Sequence, residues 1–463
     1  MTTIPASVSE RLVAFLREGM ARGVPPDVAT EAKRLLLNQL KASVAAIDHP
    51  AVKVMHDWAV AQGRVDKPAT VLWLGTPVAP AQAAVVNGAL FEVLDFHDTY
   101  IPCFMHAVSG VLPALLAAAE VGGHSGKRVV DALALGLEAE LAVATILMPT
   151  GYYRGYVPAG LTGGVGAAAA CAALAGLSDE QTRNALGIAM CTAFGLYVSV
   201  GSDTLSYITG ATARSGYTAF ELAARGMTAP VTAFEGEKGM FVTHTDEKPD
   251  KIAGVMDGLG RDVTGKSWRI FGQSYKTVPT ETITHAPIEL ALEILKRARG
   301  RAVAKMTFGV EQIVVKIVKE RNERFGLPKS DLEARFDLRY CAAAAWVRGR
   351  FTLAEMQRPA YTDPEILAMR DKIELVADPA RKTFEGAWLE VMFADGSVER
   401  ANVDNFLGTP GNRMSDTQLS DVFRVTAADH MPKDRIEALL AAVWGLEQAK
   451  DVRGLMTLAR TGV

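Results

Sequence analysis

The feature that most limits what this chain can fold into is a succession of apolar segments rich in alanine and glycine, running from about Val8 to Gly226. Alanine loses no side-chain entropy in a helix, and apolar residues recur through this half at helical spacing. Pro80 is placed to occupy the first turn of a helix ending near Asp95, and Leu112 to Glu120 reads as another with Pro113 in its first turn. Ser178 followed by Gln181 has the spacing of a capping box and opens a further helix through Ala185, Leu186 and Met190. Gly163-Gly164-Val165-Gly166 and Gly210 read as joints between apolar stretches, where missing side chains let helix axes approach. Gly, Thr, Glu and Arg interrupt these segments, so none is expected to offer the roughly 18 uninterrupted apolar residues that cross a bilayer.

After Pro279 the pattern changes. Gln312 to Val318 alternates and is rich in β-branched residues, Lys372 to Val376 is a second short strand candidate, and Ala387 to Phe393 before Asp395-Gly396 reads as one arm of a hairpin. Helical patterns, Pro287 to Arg297 and Ala342 to Arg348, lie between them, and Ser415 with Gln418 opens a helical tail, Thr417 to Leu458, after the turn Gly408 to Gly411. At 463 residues the chain exceeds one ordinary domain. The expected fold class is mainly α: a large all-helical domain over 1–272, a smaller α+β lid domain over 273–408, and C-terminal helices, 409–463, returning to the first domain.

The formal net charge of −3 gives no electrostatic reason to expect nucleic acid or an anionic membrane as partner. The four cysteines, Cys103, Cys171, Cys191 and Cys341, form no Cys-x-x-Cys pair, and the opening Met-Thr-Thr-Ile-Pro carries no secretory pattern. The expectation is a reduced cytoplasmic protein with mostly buried thiols.

Asp95-Phe-His-Asp-Thr99 follows the apolar segment Ala81 to Leu94, and His106 comes one loop later, just before the apolar run Val111 to Ala119. Carboxylates, imidazoles and a hydroxyl gathered between buried helices are either a functional site or an N-cap and turn cluster in which Asp98 or Thr99 satisfies backbone donors. Two domains usually leave a cleft that suits a small molecule. Lys276, His285 and Tyr340, near the expected domain junction, are candidates for the wall opposite the Asp95 cluster. Taken singly they also have plain accounts: a solvated charge, a helix-start histidine, and a core aromatic with its hydroxyl satisfied.

In this order, the segments resemble the 2-methylcitrate dehydratase family, often called MmgE/PrpD, which includes cis-aconitate decarboxylase and iminodisuccinate epimerase. The resemblance spans nearly the whole chain. It is carried by Val86-Asn-Gly-Ala89 leading into Leu94-Asp-Phe-His-Asp-Thr99, His106-Ala-Val-Ser-Gly-Val-Leu-Pro113, Gly164-Val-Gly-Ala-Ala-Ala and Leu174-Ala-Gly-Leu177. Further along come Ala213-Arg-Ser-Gly216, Arg225-Gly-Met-Thr228, Lys276-x-x-Pro279 with His285, Glu333-Ala-Arg-Phe336 with Tyr340, Asp395-Gly396 and Met414-Ser-Asp416. No one motif is strong, but their combined order is specific. The resemblance implies a helical domain with an α+β lid, a homodimer, and cofactor-free chemistry on a small carboxylate. Asp95, Thr99, His106, Lys276, His285 and Tyr340 match positions that line the family's site. His106 and His285 are the candidate base and acid, Asp95 would hold or polarise one imidazole, Tyr340 would donate a proton or hydrogen bond, and Lys276 and Thr99 would hold substrate oxygens.

Two departures bear on the substrate. Val157 stands where a histidine usually precedes Pro158, and Leu205 falls where a lysine is common, so a less charged or differently shaped substrate than a citrate-like acid is expected. Tyr152, Tyr153, Arg154 and Tyr156 are candidate replacement contacts, with an exposed aromatic loop as the other account of them, and Ser206 is a further candidate substrate contact. His97 stands where the family usually has an acidic residue and is taken as a substrate contact or as a turn residue pointing to water. With Asp95, Asp98 and His106 it suggests a metal site on paper. No His-x-x-x-His helix pair supports one, so neither metal nor cofactor is expected. Gly163 to Gly166 lacks the preceding strand and the Gly-Lys-Ser/Thr ending of a phosphate loop, and no Gly-x-Ser-x-Gly elbow is present. The leading functional expectation is a lyase removing water or carbon dioxide. An isomerase, epimerase or ring-opening enzyme, and a catalytically silent binding homologue, stand behind it.

Overall fold

The computed structural model describes residues 7–261 and 267–461; the opening Met1 to Pro5 read for a leader lies outside the described residues. The chain divides into two compact units. The first comprises residues 1–93, 97–274 and 415–463, and the second residues 94–96 and 275–414. The fold is mainly α, with its larger sheet in the second unit.

In the first unit, helices Pro26–Val44, Pro80–Glu92, Ala107–Gly122, Gly126–Leu147, Pro158–Ala175 and Thr204–Ala224 pack together into a core of small side chains. Ser178 and Gln181 close the expected capping box of the Asp179–Cys191 helix, and Ser415 with Gln418 does the same for Asp416–Ala427. The glycines read as joints lie inside helices: Gly163 to Gly166 within Pro158–Ala175, and Gly210 within Thr204–Ala224. Their role is close approach across helix faces. A Cβ on Gly210 would stand 2.2 Å from the Val85 carbonyl oxygen, and one on Gly88 would stand 2.7 Å from the Gly210 Cα. Gly210→Ala gains about 1 kcal/mol of helix propensity but drives a methyl into rigid backbone. A net loss of about 1–2 kcal/mol in chemical unfolding is expected.

Two further readings are corrected here. The helix expected from Leu112 begins at Ala107, so Pro113 falls in its second turn, where its ring removes the amide that would reach the Ser109 carbonyl. The Pro158–Ala175 helix is long and apolar enough to span a bilayer, at mean hydropathy 1.4, because its glycines and alanines interrupt it without adding charge; yet 94% of it is buried among the other helices. Of the thiols, Cys103, Cys171 and Cys341 are buried and Cys191 is exposed. Burial pushes the Cys103 thiol up to about 12. One equivalent of an alkylating reagent should react with the native protein and four after unfolding, as mass spectrometry of the intact chain would show.

The second unit has a four-stranded sheet, in the order Ile373–Ala377, Val303–Val310, Ala387–Phe393, Val398–Val403. The first pair is parallel and the others antiparallel, and the hairpin turns through Gly396 at φ +83°. Helices His285–Ala298 and Leu338–Arg348 share its core. The strand expected at Gln312 to Val318 is instead a helix, Gln312–Phe325. Val314 and Val318 are its buried face at i,i+4, and Lys316–Glu320 and Lys319–Glu323 pair at the same spacing on the exposed side. The β-branched run imitated alternation over too short a window. The true strand, Val303–Val310, hides its pattern behind Lys305, Thr307 and Gly309.

Candidate active site

The Pro80–Glu92 helix ends on Glu92, its one charged residue, which is buried. Asp95 then takes left-handed backbone at φ 51°, a conformation that aspartate tolerates better than most residues. His97 and Asp98 follow with 0% exposure. Thr99–Tyr100 pairs antiparallel with Gln273–Ser274, and the chain reaches His106 at the N-cap of the Ala107–Gly122 helix.

Asp98 organises this corner. Its carboxylate accepts from the Gln39 side-chain amide and, at 3.5 Å, from the Val108 backbone N–H, which ties the start of the Ala107–Gly122 helix to the preceding loop. Its backbone carbonyl lies 2.7 Å from His106 Nδ1, with the Thr99 hydroxyl 3.4 Å from the same nitrogen. Asp98 therefore satisfies a backbone donor, as the cap account expects, and its carbonyl also fixes the His106 ring. His97 meets the His106 ring edge-on at a centroid distance of 4.0 Å, and its Nε2 is 3.4 Å from Glu92 Oε2. His97 is thus an interior residue, not a turn residue facing water. Behind Asp98, burial holds the Glu140 carboxyl well above the usual range, and the Asp98 charge pushes the same way against a hydrogen bond from Thr162.

In the second unit, the buried Lys276 ammonium donates to the Asp95 carbonyl at 2.9 Å and to the Asp95 carboxylate. The polarising partner of the His106 ring is thus the Asp98 backbone, while the Asp95 carboxylate is engaged by Lys276. Arg335, also buried, pairs with Asp331 at 2.8 Å; burial lowers its pKa, and Asp331 and Asp95 oppose that. His285 begins the His285–Ala298 helix, stacks on Phe406 at 4.9 Å, and sets Nε2 3.4 Å from both the carbonyl and the hydroxyl of Thr280. Tyr340 lies in the first turn of Leu338–Arg348 and donates its hydroxyl to the Glu355 carbonyl; burial raises its pKa well above the ordinary phenol value.

The remaining candidates have local partners. Arg154 grips both carboxylate oxygens of Asp246 at 2.9 Å, Tyr156 packs on His244, and Tyr153 is 70% exposed beside Tyr152. Tyr153 is thus exposed, while Tyr152 and Tyr156 are half-buried. Ser206 donates to the Asp203 carbonyl at 2.7 Å within its own helix turn. Sequence reasoning passed over Glu92, Gln39 and Arg335. A lone charge at the end of an apolar helix was a usable signal for Glu92. Gln39 offered none, because its helix buries residues all round, polar ones included.

A family model for the MmgE/PrpD N-terminal domain matches residues 10–253, and one for the MmgE/PrpD C-terminal domain matches residues 278–447. The chain is 26% identical to cis-aconitate decarboxylase of Homo sapiens, over 82% of this chain and 79% of that protein. It is 24% identical to the cis-aconitate decarboxylase-like protein oryM of Aspergillus oryzae, over 99% and 98%. It is 23% identical to 2-methylcitrate dehydratase of Cupriavidus necator, over 90% and 89%.

Proposed function

The chain belongs to the MmgE/PrpD family, and from that premise we propose that it is a lyase that works on a small carboxylic acid without a cofactor. His106 is the base that removes a proton next to a carboxylate or carbonyl. The observation that carries this is the 2.7 Å contact from His106 Nδ1 to the Asp98 carbonyl. A carbonyl oxygen only accepts, so Nδ1 bears the hydrogen and the neutral ring keeps its lone pair on Nε2. An imidazole so held has a fixed tautomer, as a general base that accepts at one nitrogen requires.

In a dehydration, Nε2 takes the proton, the C–H electron pair becomes the new double bond, and the hydroxyl leaves as water after gaining a proton. In a decarboxylation, carbon dioxide leaves and the breaking C–C pair stays on carbon as an enolate-like carbanion, which takes a proton from the acid; the acid then regains its proton from water. Thr99 and Lys276 are assigned to substrate oxygens and His285 to the acid. Tyr340 is assigned to the core of its helix, since its proton is already given to Glu355. Lys276→Met should lower kcat/KM about 10²-fold or more if the ammonium faces developing negative charge. Val157, buried at the N-cap of its helix, and Leu205 favour a substrate less charged than a tricarboxylate.

The test is incubation in deuterated buffer with cis-aconitate, 2-methylcitrate and smaller, less charged acids, followed by mass analysis. Loss of water or carbon dioxide supports the reading. An unchanged mass with deuterium gained would make the enzyme an isomerase or epimerase, and neither exchange nor product from any acid would leave a binding homologue.

A further inference from the structure

We propose that Glu92, His97 and His106 form a three-ligand site for a divalent transition ion of the zinc class. One donor atom from each lies within 4.8 Å of the other two. Donors around such an ion, each about 2.0–2.2 Å from it, stand roughly 3–4 Å apart, so shifts of about 1 Å complete the set. Imidazole and carboxylate are the donor types that this class of ion takes. The surroundings fit as well. Glu92 and His97 are 6% and 0% exposed, which limits their motion, and the His106 Nδ1 bond to the Asp98 carbonyl is the outer contact that orients metal-binding imidazoles. That bond leaves Nε2 as the nitrogen His106 can offer. One carboxylate and two neutral imidazoles leave a divalent ion with net positive charge and an open position suited to an anion such as a carboxylate.

The site bears on catalysis only through the reading of His106 as base. An ion on Nε2 holds the lone pair that proton abstraction needs, so the loaded protein is the inactive form. Binding itself does not depend on that reading, and the two are tested apart. Untagged full-length protein, stripped with a chelator, is titrated with cobalt(II) by visible absorption and with zinc(II) by competition against a chromophoric chelator. The expected result is one tight equivalent in the parent, weakened at least about tenfold in His97→Gln, with His97→Asp, which restores a ligand, recovering affinity. Circular dichroism checks the fold of each variant, and Glu92→Gln provides the same comparison should His97→Gln fail to fold. No tight equivalent in the parent, or equal affinity in folded His97→Gln or Glu92→Gln, overturns the site. Tight zinc binding with undiminished turnover upholds the site and overturns His106 as the base.

Discussion

His106→Ala should lower kcat/KM on the protein's carboxylate substrate by about 10²–10⁴-fold, the range that a positioned general base contributes. The loss should appear in kcat at saturating substrate, since a base acts on the reacting proton more than on ground-state binding. Stability is a poor explanation for such a loss. His106 makes no side-chain cap bond to its helix, and the hydrogen bond to the Asp98 carbonyl, one of the contacts removed together with the edge-on packing on His97, is worth about 1 kcal/mol net. Unfolding by denaturant, measured on both proteins, separates the two causes. An activity within threefold of the parent would remove His106 from the chemistry.

The largest expected effect on stability lies elsewhere in the first unit, at Glu138 and Arg269, a pair with side chains 0% and 2% exposed. Glu138 also accepts the backbone N–H groups of Arg269, at 2.9 Å, and Gly260, at 3.1 Å. Glu138→Leu strips the guanidinium of its counter-charge, and arginine cannot shed its proton to escape. A loss of about 3–5 kcal/mol is expected. Arg269→Met should cost less, because a carboxyl can neutralise itself. Burial already pushes Glu138 up to about 7, against the pull of Arg269. Glu138→Gln, which imitates the protonated carboxyl, should be the mildest of the three.

The same shift predicts a pH dependence. The folded carboxyl holds its proton to higher pH than the unfolded one, whose ordinary value is 4.5. Between about pH 4.5 and 7 the folded state therefore binds more protons, and stability falls as pH rises through that window. The difference between parent and Glu138→Gln in urea unfolding should decline from pH 5 to pH 7 and level off above. A difference that grows with pH would show that the ionised pair, not the neutral carboxyl, is the stable state.

Much of this was legible in the chain because the signals were local. The capping boxes at Ser178 and Ser415, proline at the first turn of Pro80–Glu92, and the Asp395-Gly396 hairpin each specify geometry within a few residues. The mainly helical class followed from long periodic runs that survive small errors. Gln312–Phe325 was misread because a β-branched run of seven residues satisfies two periods at once, and the surface ion pairs that settle it extend beyond that window. Among the candidate residues, His106 and Lys276 stood out by residue type and setting. The partner of His106 did not, because a backbone carbonyl has no sequence signature. Nor could sequence show that Lys276, 181 positions along, would meet Asp95, or that His97 would be interior.

The tautomer of His106 is the hinge of the account. Nitrogen-15 NMR of histidine-labelled protein at about pH 8, with the resonance assigned by its absence from His106→Ala, reads it directly. The geometry predicts hydrogen on Nδ1 and an unprotonated Nε2 in the resting protein. Hydrogen on Nε2 with a bare Nδ1 would contradict the bond to Asp98 and the base assigned from it.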